Sequence, residues 1–292
     1  MKTYLDCFPC ILQKTLQAAR QNQLPDEEQK AILDNVLQML RETSADVSPP
    51  QISHQVHQLI RESTGMEDPY EQIKLEYDVR ALDLMPNIRQ KIRKARDPLE
   101  AAIRYAIAGT VLDIGADHEG DDIRRELDRA PEAEFGINHL ENLKQDLRAA
   151  DTILYLGDNA GEIAFDRLLV EVLRDMFRAE IVFVVRGQPV LNDATIDDAR
   201  YVGLESLVHL IANESTAPTT LLEDTGSRTR EYIKKSDVIL AKGQAQYESL
   251  SNADLNLYFL FKVNCGVISQ DLGAEMSQYV VAGRRILSTS GE

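Results

Sequence analysis

The chain has 292 residues, 43% of them hydrophobic and 27% charged, enough for two ordinary globular domains or one large one with an appendage. With 48 acids against 32 bases the formal charge is −16, which excludes nucleic acid and anionic membrane surfaces as natural partners. No apolar run approaches the ~18 residues of a membrane span, MKTYLDCFPC has no signal-peptide core, and 3 cysteines do not make a disulfide framework, so a cytoplasmic protein is expected.

In chain order, Cys10 to Gln23 carries Ile11, Leu12, Leu16 and Ala19 at helical spacing. Asp26 to Arg41 repeats the pattern with Ile32, Leu33, Val36, Leu37 and Leu40. Pro25 is expected in the first turn of this second helix, with acids following it as the helix dipole prefers, and Pro49-Pro50 is expected to end the pair. The pattern predicts a third helix from about Gln51 to Thr64, closed by Gly65, with Pro69 and Pro86 punctuating two more. No strand-like alternation interrupts this stretch, so residues 1–100 read as a helical subdomain. Leu99 to Leu112 is a further helix, and the acidic residues of Asp117–Asp122, which lack the spacing of a calcium loop, read as a solvated loop.

Beyond Ala150 the texture changes. Short runs rich in Ile, Val and Leu appear at Thr152–Leu156, Ile181–Val185, Val208–Ala212, Val238–Ala241 and Tyr258–Val263, with another near Val267. Buried strands alternating with helices predict an α/β fold. Residues 101–292 are thus expected to form a Rossmann-like, mostly parallel sheet with helices on both faces, behind the helical N-terminal subdomain.

Four of these runs end in residues that carry chemistry. After the first come Gly157-Asp158-Asn159-Ala160-Gly161-Glu162, where oxygen-bearing side chains alternate with small residues. After the second, Arg186-Gly187-Gln188-Pro189 leads to Asn192-Asp193 at a helix start. Loops after neighbouring strands of a doubly wound sheet converge on one crevice. Asp193 is therefore expected to face Asp158 and Asn159, although all three residue types also serve as helix caps. Two carboxylates and an amide oxygen suit a hard divalent cation. Lys242-Gly243 follows the fourth run, and Lys262 sits in the fifth, where a lysine is costly without a partner or a path to water. Carboxylates for a metal plus lysines for an anion are the inventory of phosphoryl transfer or hydrolysis.

The segments DNAGEIAFD, RGQPVLNDATIDDA, DVILAKGQAQYESL and FLFKVNCGVIS, in this order and spacing, resemble the metal-dependent damage-control phosphatases, formerly a family of unknown function. The CFPC motif is similar to that of a prokaryotic branch, and the likeness runs from Cys7 to about Ser269. It implies a helical part followed by an α/β part. Asp158, Asn159 and Asp193 would ligate a divalent ion (Mn, Co, Ni or Mg), and Asp158, Asp193 and Lys262 would carry the chemistry. Substrate contacts would come from Asn159, Glu162, Lys242, Gly243, Gln244, Gln246, Tyr247 and Lys262. The substrates implied are small phosphorylated metabolites: sugar phosphates, phosphopantetheine-like compounds and their damaged forms. Asp158 would act as ligand or as nucleophile. Three positions depart from the family pattern: Ala245 and Gln246 stand where it has Gly and Asn, and Thr110 stands where it has Asn.

Weaker signals point elsewhere. Val111-Leu112-Asp113-Ile114-Gly115-Ala116-Asp117 resembles the opening of an S-adenosylmethionine site and motivates the alternative of a carboxyl methyltransferase, but its glycine pattern is wrong. A non-catalytic metal- and phosphate-binding relative is the third reading, resting on Ala245 and Gln246. Cys7 and Cys10 are a structural pair, an inter-subunit contact, a redox pair, or half of a second metal site that His54 and His57 would complete. Cys265 reads as buried filler. His118, His139 and His209 are isolated.

Overall fold

The structure is a computed structural model that describes residues 1–44, 46–65, 67–112 and 120–289. Its N-terminal part is helical: α1 (Cys7–Gln21), α2 (Asp26–Glu42), α3 (Pro49–Thr64), α4 (Glu71–Lys94) and α5 (Pro98–Ala108). Pro25 stands one position before α2 as its cap residue. Pro49 and Pro50 open α3 instead of ending the preceding pair, because Ser48 and Gln51 form a capping box around them and neither proline there forfeits a helical hydrogen bond. Pro86 does not separate two helices but lies inside α4. The buried stripe Ala81, Met85, Ile88 and Ile92 on both sides of it outweighs the lost backbone bond.

The remaining elements are α6 (Gly120–Arg129), β1 (Phe135–Asn138), α7 (Leu140–Ala149), β2 (Thr152–Leu156), α8 (Glu162–Met176), β3 (Glu180–Val185), α9 (Ile196–Tyr201), β4 (His209–Ala212), α10 (Ser227–Lys235), β5 (Val238–Lys242), α11 (Gln244–Leu250), β6 (Leu257–Lys262), α12 (Gly266–Leu272), β7 (Tyr279–Gly283) and α13 (Arg284–Thr289). The fold is α/β: a seven-stranded sheet in the order β1-β7-β6-β5-β2-β3-β4, parallel except where β7 runs antiparallel to β6. The run near Val267 is helical, within α12. The acidic stretch continues from Gly120 as α6, which buries Ile123 and Leu127. His118 and residues 113–117 of the methyltransferase-like motif lie outside the described residues. Val111 and Leu112, at its start, close a 3-10 turn after α5, so no strand leads into it there.

Strand alternation divides the sheet's core in two. Ile153 and Tyr155 of β2 face one way, packing with α4, α5 and α8, whereas Leu154 and Leu156 face α10, α11 and α12. Helices α1, α2 and α3 bury a separate cluster around Ile32, Val36 and Ile52, which Tyr70 completes. Packing therefore divides the chain near residue 70, with α4 and α5 belonging to the core of the sheet.

The chain runs β2, β3, β4 across one half of the sheet, then returns to place β5 on the other side of β2. Between β2 and β5 the direction of winding reverses. In open α/β sheets, ligands bind outside the carboxyl ends of the strands at such a point.

Candidate active site

A cavity of about 760 Å³ opens at that reversal point, between the carboxyl ends of the strands and the N-terminal helices. Asp158 and Asn159 from the β2 loop line it together with Asn192 and Asp193 from the β3 loop. The two loops are stitched as a miniature sheet: Asn159 and Asp193 form an antiparallel bridge, Ala194 N donates to Asp158 O at 2.8 Å, and Ala160 N donates to Asn192 O at 2.9 Å. Asp158, Asn159 and Asp193 are 8%, 6% and 5% exposed, so their oxygens face the cavity from a nearly sealed base.

Each donor has its own support. Gly243 holds φ at 91°, and a Cβ there would run into the Asp158 carboxylate, so only glycine lets β5 close against that side chain. Asn159 donates its amide nitrogen to Glu162 Oε2 at 3.4 Å, which turns the amide oxygen away from Glu162. Arg186 Nε donates to Asp193 Oδ2 at 2.6 Å, and Thr219 N donates to the same oxygen at 3.1 Å. Gly161, at φ 76°, donates its N–H to Asp78 Oδ1 of α4 at 2.6 Å. Burial pushes the Asp78 carboxyl up to about 7, with the Gly161 N–H opposing that shift.

Several residues expected at the substrate lie elsewhere. Lys242 is the last residue of β5, and alternation turns it to the α8 face, where it is 0% exposed and pairs with Glu162 and Asp166. Burial alone would lower its pKa; the two carboxylates outweigh that and hold it above the usual lysine range. It is a buried counter-ion, not a free phosphate contact. Glu162 is equally buried, bonded by Lys242 and by the Thr110 hydroxyl at 3.2 Å. It touches Asn159 and is not among the residues that line the cavity. Tyr247 packs on Phe259 and Phe261 in the core, with its hydroxyl on Asp271 at 2.6 Å. Gln246 is fully buried, its amide nitrogen 3.5 Å from Gly157 O and its Oε1 without a partner among the described residues.

Gln244 and Lys262 do line the cavity. Lys262 ends β6 and, by the same alternation, faces α6, where it pairs with Glu126 at 2.6 Å. The far wall carries Cys7, Cys10 and Cys265, all free thiols; burial raises the Cys7 pKa. His54 and His57 are not in this wall. Among the described residues no three His, Cys, Asp or Glu side chains gather as a ready-made metal site. The cluster that does assemble, two carboxylates and an amide oxygen from two interlocked loops, has the oxygen-only chemistry of a hard or borderline divalent cation with room for water and a phosphate.

Reasoning from sequence missed Arg186, Thr219 and Asp78. An arginine closing an all-apolar strand was the one signal for the first. Thr219 sits in a polar turn tract and does not stand out, whereas Asp78 is a carboxylate in register with the buried stripe Ala81, Met85, Ile88 and Ile92, and that placement was its signal.

The sequence profile of the damage-control phosphatase ARMT1-like domain matches residues 3–280. The damage-control phosphatase PH1575 of Pyrococcus horikoshii is 27% identical over 276 residues, covering 93% of this chain and 94% of its own. A damage-control phosphatase of Archaeoglobus fulgidus is 28% identical over 280 residues, covering 94% and 96%. The crystal structure of PH1575, a DUF89 family protein, superposes with a TM-score of 0.89 at 25% identity, over 97% of this chain and 99% of that one. No described helix is long and apolar enough to cross a membrane. With the profile spanning both the helical wall and the interlocked loops, this chain belongs to the damage-control phosphatase ARMT1-like family and is a phosphatase.

Proposed function

We propose that the chain is a metal-dependent phosphatase of small phosphorylated metabolites, with Asp158, Asn159 and Asp193 holding one divalent cation. The observation that carries this reading is the bridge between Asn159 and Asp193, which joins the three oxygen donors at one cavity base. Bound there, a divalent cation supplies Lewis-acid withdrawal of charge from a phosphoryl oxygen. Asp158 keeps its place through the close approach of Gly243, Asn159 through Glu162, and Asp193 through Arg186. The amino end of α8, a 15-residue helix, begins at Glu162 beside these loops and presents positive dipole to an anion. Lys262 adds a cation at the rim, and Gln244 a polar contact for the organic part. Ile11, Val56 and Ile60 form an apolar wall opposite, in a volume suited to a metabolite of ordinary size. The oxygen donors favour magnesium or manganese, and the amide also admits cobalt or nickel.

The test is hydrolysis of a phosphomonoester panel by the wild-type chain, with EDTA and then with each of the four metals. Asp158→Ala and Asp193→Ala are expected to lose at least about a hundredfold in kcat/KM while keeping the wild-type circular dichroism, since a Lewis acid contributes several kcal/mol. Turnover that persists in EDTA, or in either folded variant, contradicts the proposal.

A further inference from the structure

The loop between β4 and α10, residues 213–226, is a third wall of the cavity base, and it is built unlike an ordinary connection. It buries Asn213, Ser215, Thr219, Thr220 and Thr225 almost completely. Asn213 pins its start by accepting from the N–H groups of Gly187 and Ser215 at 2.9 and 3.1 Å. Thr219 lines the cavity beside Asp158, Asn159 and Asp193.

Three observations on Thr219 converge. Its φ is 58°, a left-handed conformation that a β-branched residue rarely adopts and that persists only when the surroundings impose it. The imposing contacts are visible: its N–H donates to Asp193 Oδ2, and its carbonyl accepts from Arg186 Nη1. The same guanidinium donates through Nη2 to Gly157 O at 3.0 Å, so Arg186 ties together the loops after β2, β3 and β4. The third observation is the side chain. Thr219 Oγ1 is sealed from solvent and has no hydrogen-bond partner among the described residues. A buried hydroxyl left unpaired costs about 1–3 kcal/mol. The backbone of Thr219 serves the loops through Asp193 and Arg186, whereas its unpaired hydroxyl contributes no bond to the fold. The Thr220 hydroxyl is also unpaired, but of the two residues only Thr219 lines the cavity.

We propose that Thr219 is a further substrate-contacting residue, its hydroxyl donating a hydrogen bond to an oxygen of the phosphoryl group beside Asp158 and Asp193. The proposal rests on the phosphatase site proposed above. The Arg186 latch fixes the backbone of Thr219, so only one side-chain torsion remains to be ordered when substrate binds. A phosphate oxygen is the fitting acceptor: it is charged, and a turn about χ1 brings the sealed hydroxyl to the cavity face when the anion enters.

The experiment compares wild type, Thr219→Val and Thr219→Ser by calorimetric titration with inorganic phosphate in saturating manganese, and by manganese titration alone. Valine keeps the shape and β-branch and removes only the hydroxyl. Phosphate affinity is expected to fall roughly 10- to 100-fold in T219V, the loss of one hydrogen bond to a charged group, and to stay within about threefold in T219S. Manganese affinity should be the same in all three. T219V should also melt no lower than wild type, because an unpaired buried hydroxyl is replaced by a methyl. Wild-type phosphate affinity in T219V overturns the role of Thr219 and leaves the site intact. A wild-type chain that binds no phosphate overturns the site itself and this inference with it. A T219V that melts far lower would show that the hydroxyl serves the fold, and overturns the inference as well.

Discussion

Arg186→Met removes the guanidinium that joins three cavity loops and leaves an unbranched apolar side chain ending about where Nε stood. Arg186 is 1% exposed, and its partners are the Asp193 carboxylate and the carbonyls of Gly157 and Thr219. Removing one member of a buried ion pair costs about 3–5 kcal/mol because the other charge is left uncompensated. Two carbonyls that lose their donor add about 1–3 kcal/mol each, partly recovered as the loops relax. A net loss on the order of 5 kcal/mol is therefore expected, which for a chain of this size lowers the melting temperature by roughly 10–20 °C. Because Asp193 also loses the contact that fixes its orientation, manganese affinity should fall by about 10- to 100-fold at a temperature where the variant is still folded. Arg186→Lys keeps the charge but not the planar fork, so it should recover less than half of either loss. Scanning calorimetry and manganese titration measure both quantities. An R186M protein that melts within about 2 °C of wild type, or binds manganese equally well, would refute the assignment of Arg186 as the tie between the loops.

Two further perturbations probe neighbouring contacts. Gly243→Ala places a methyl against the Asp158 carboxylate at φ 91°, so it should cost at least about 1–2 kcal/mol of stability and weaken manganese binding; calorimetry showing an unchanged affinity would contradict the close packing of β5 on Asp158. Asp78→Asn keeps an acceptor for the Gly161 N–H but cannot ionise. The folded carboxyl titrates at about 7 because of burial, above an unfolded value near 3.9, so the native state holds the extra proton between those pH values and stability declines as pH rises through that window. The melting temperature of D78N should thus exceed that of wild type at pH 8, with the gap closing toward pH 4, and a gap independent of pH would contradict this.

Much of the fold follows from local pattern. β2 spans the expected run from Thr152 to Leu156, and β3 to β6 begin and end within a residue or so of their apolar runs, because the interior of a strand covered on both faces is apolar; the edge strand β4 is only partly buried. β1 and β7 were not legible. FGIN is too short and half exposed, and YVVAG lies beyond the repeated strand-helix rhythm as the strand that turns antiparallel to β6. The loops that line the cavity were legible because their polar residues interrupt apolar runs at strand ends. Direction was not. Lys242 and Lys262 look alike in sequence, yet one is buried by Glu162 and Asp166 and the other reaches the cavity rim beside Glu126, a difference set by residues about 80 and 136 positions away. The supporting residues were hidden for the same reason: Arg186, Thr219 and Asp78 owe their roles to contacts that no local spacing encodes.

The proposed phosphatase chemistry depends on one cation bound between the β2 and β3 loops. Anomalous diffraction from crystals soaked in manganese measures this directly. The expected result is a single strong peak about 2.1 Å from oxygens of Asp158, Asn159 and Asp193, the distance typical of small hard cations. A peak at Cys7 and Cys10 instead, or no peak at the carboxylates in a chain that still hydrolyses phosphomonoesters, would contradict it.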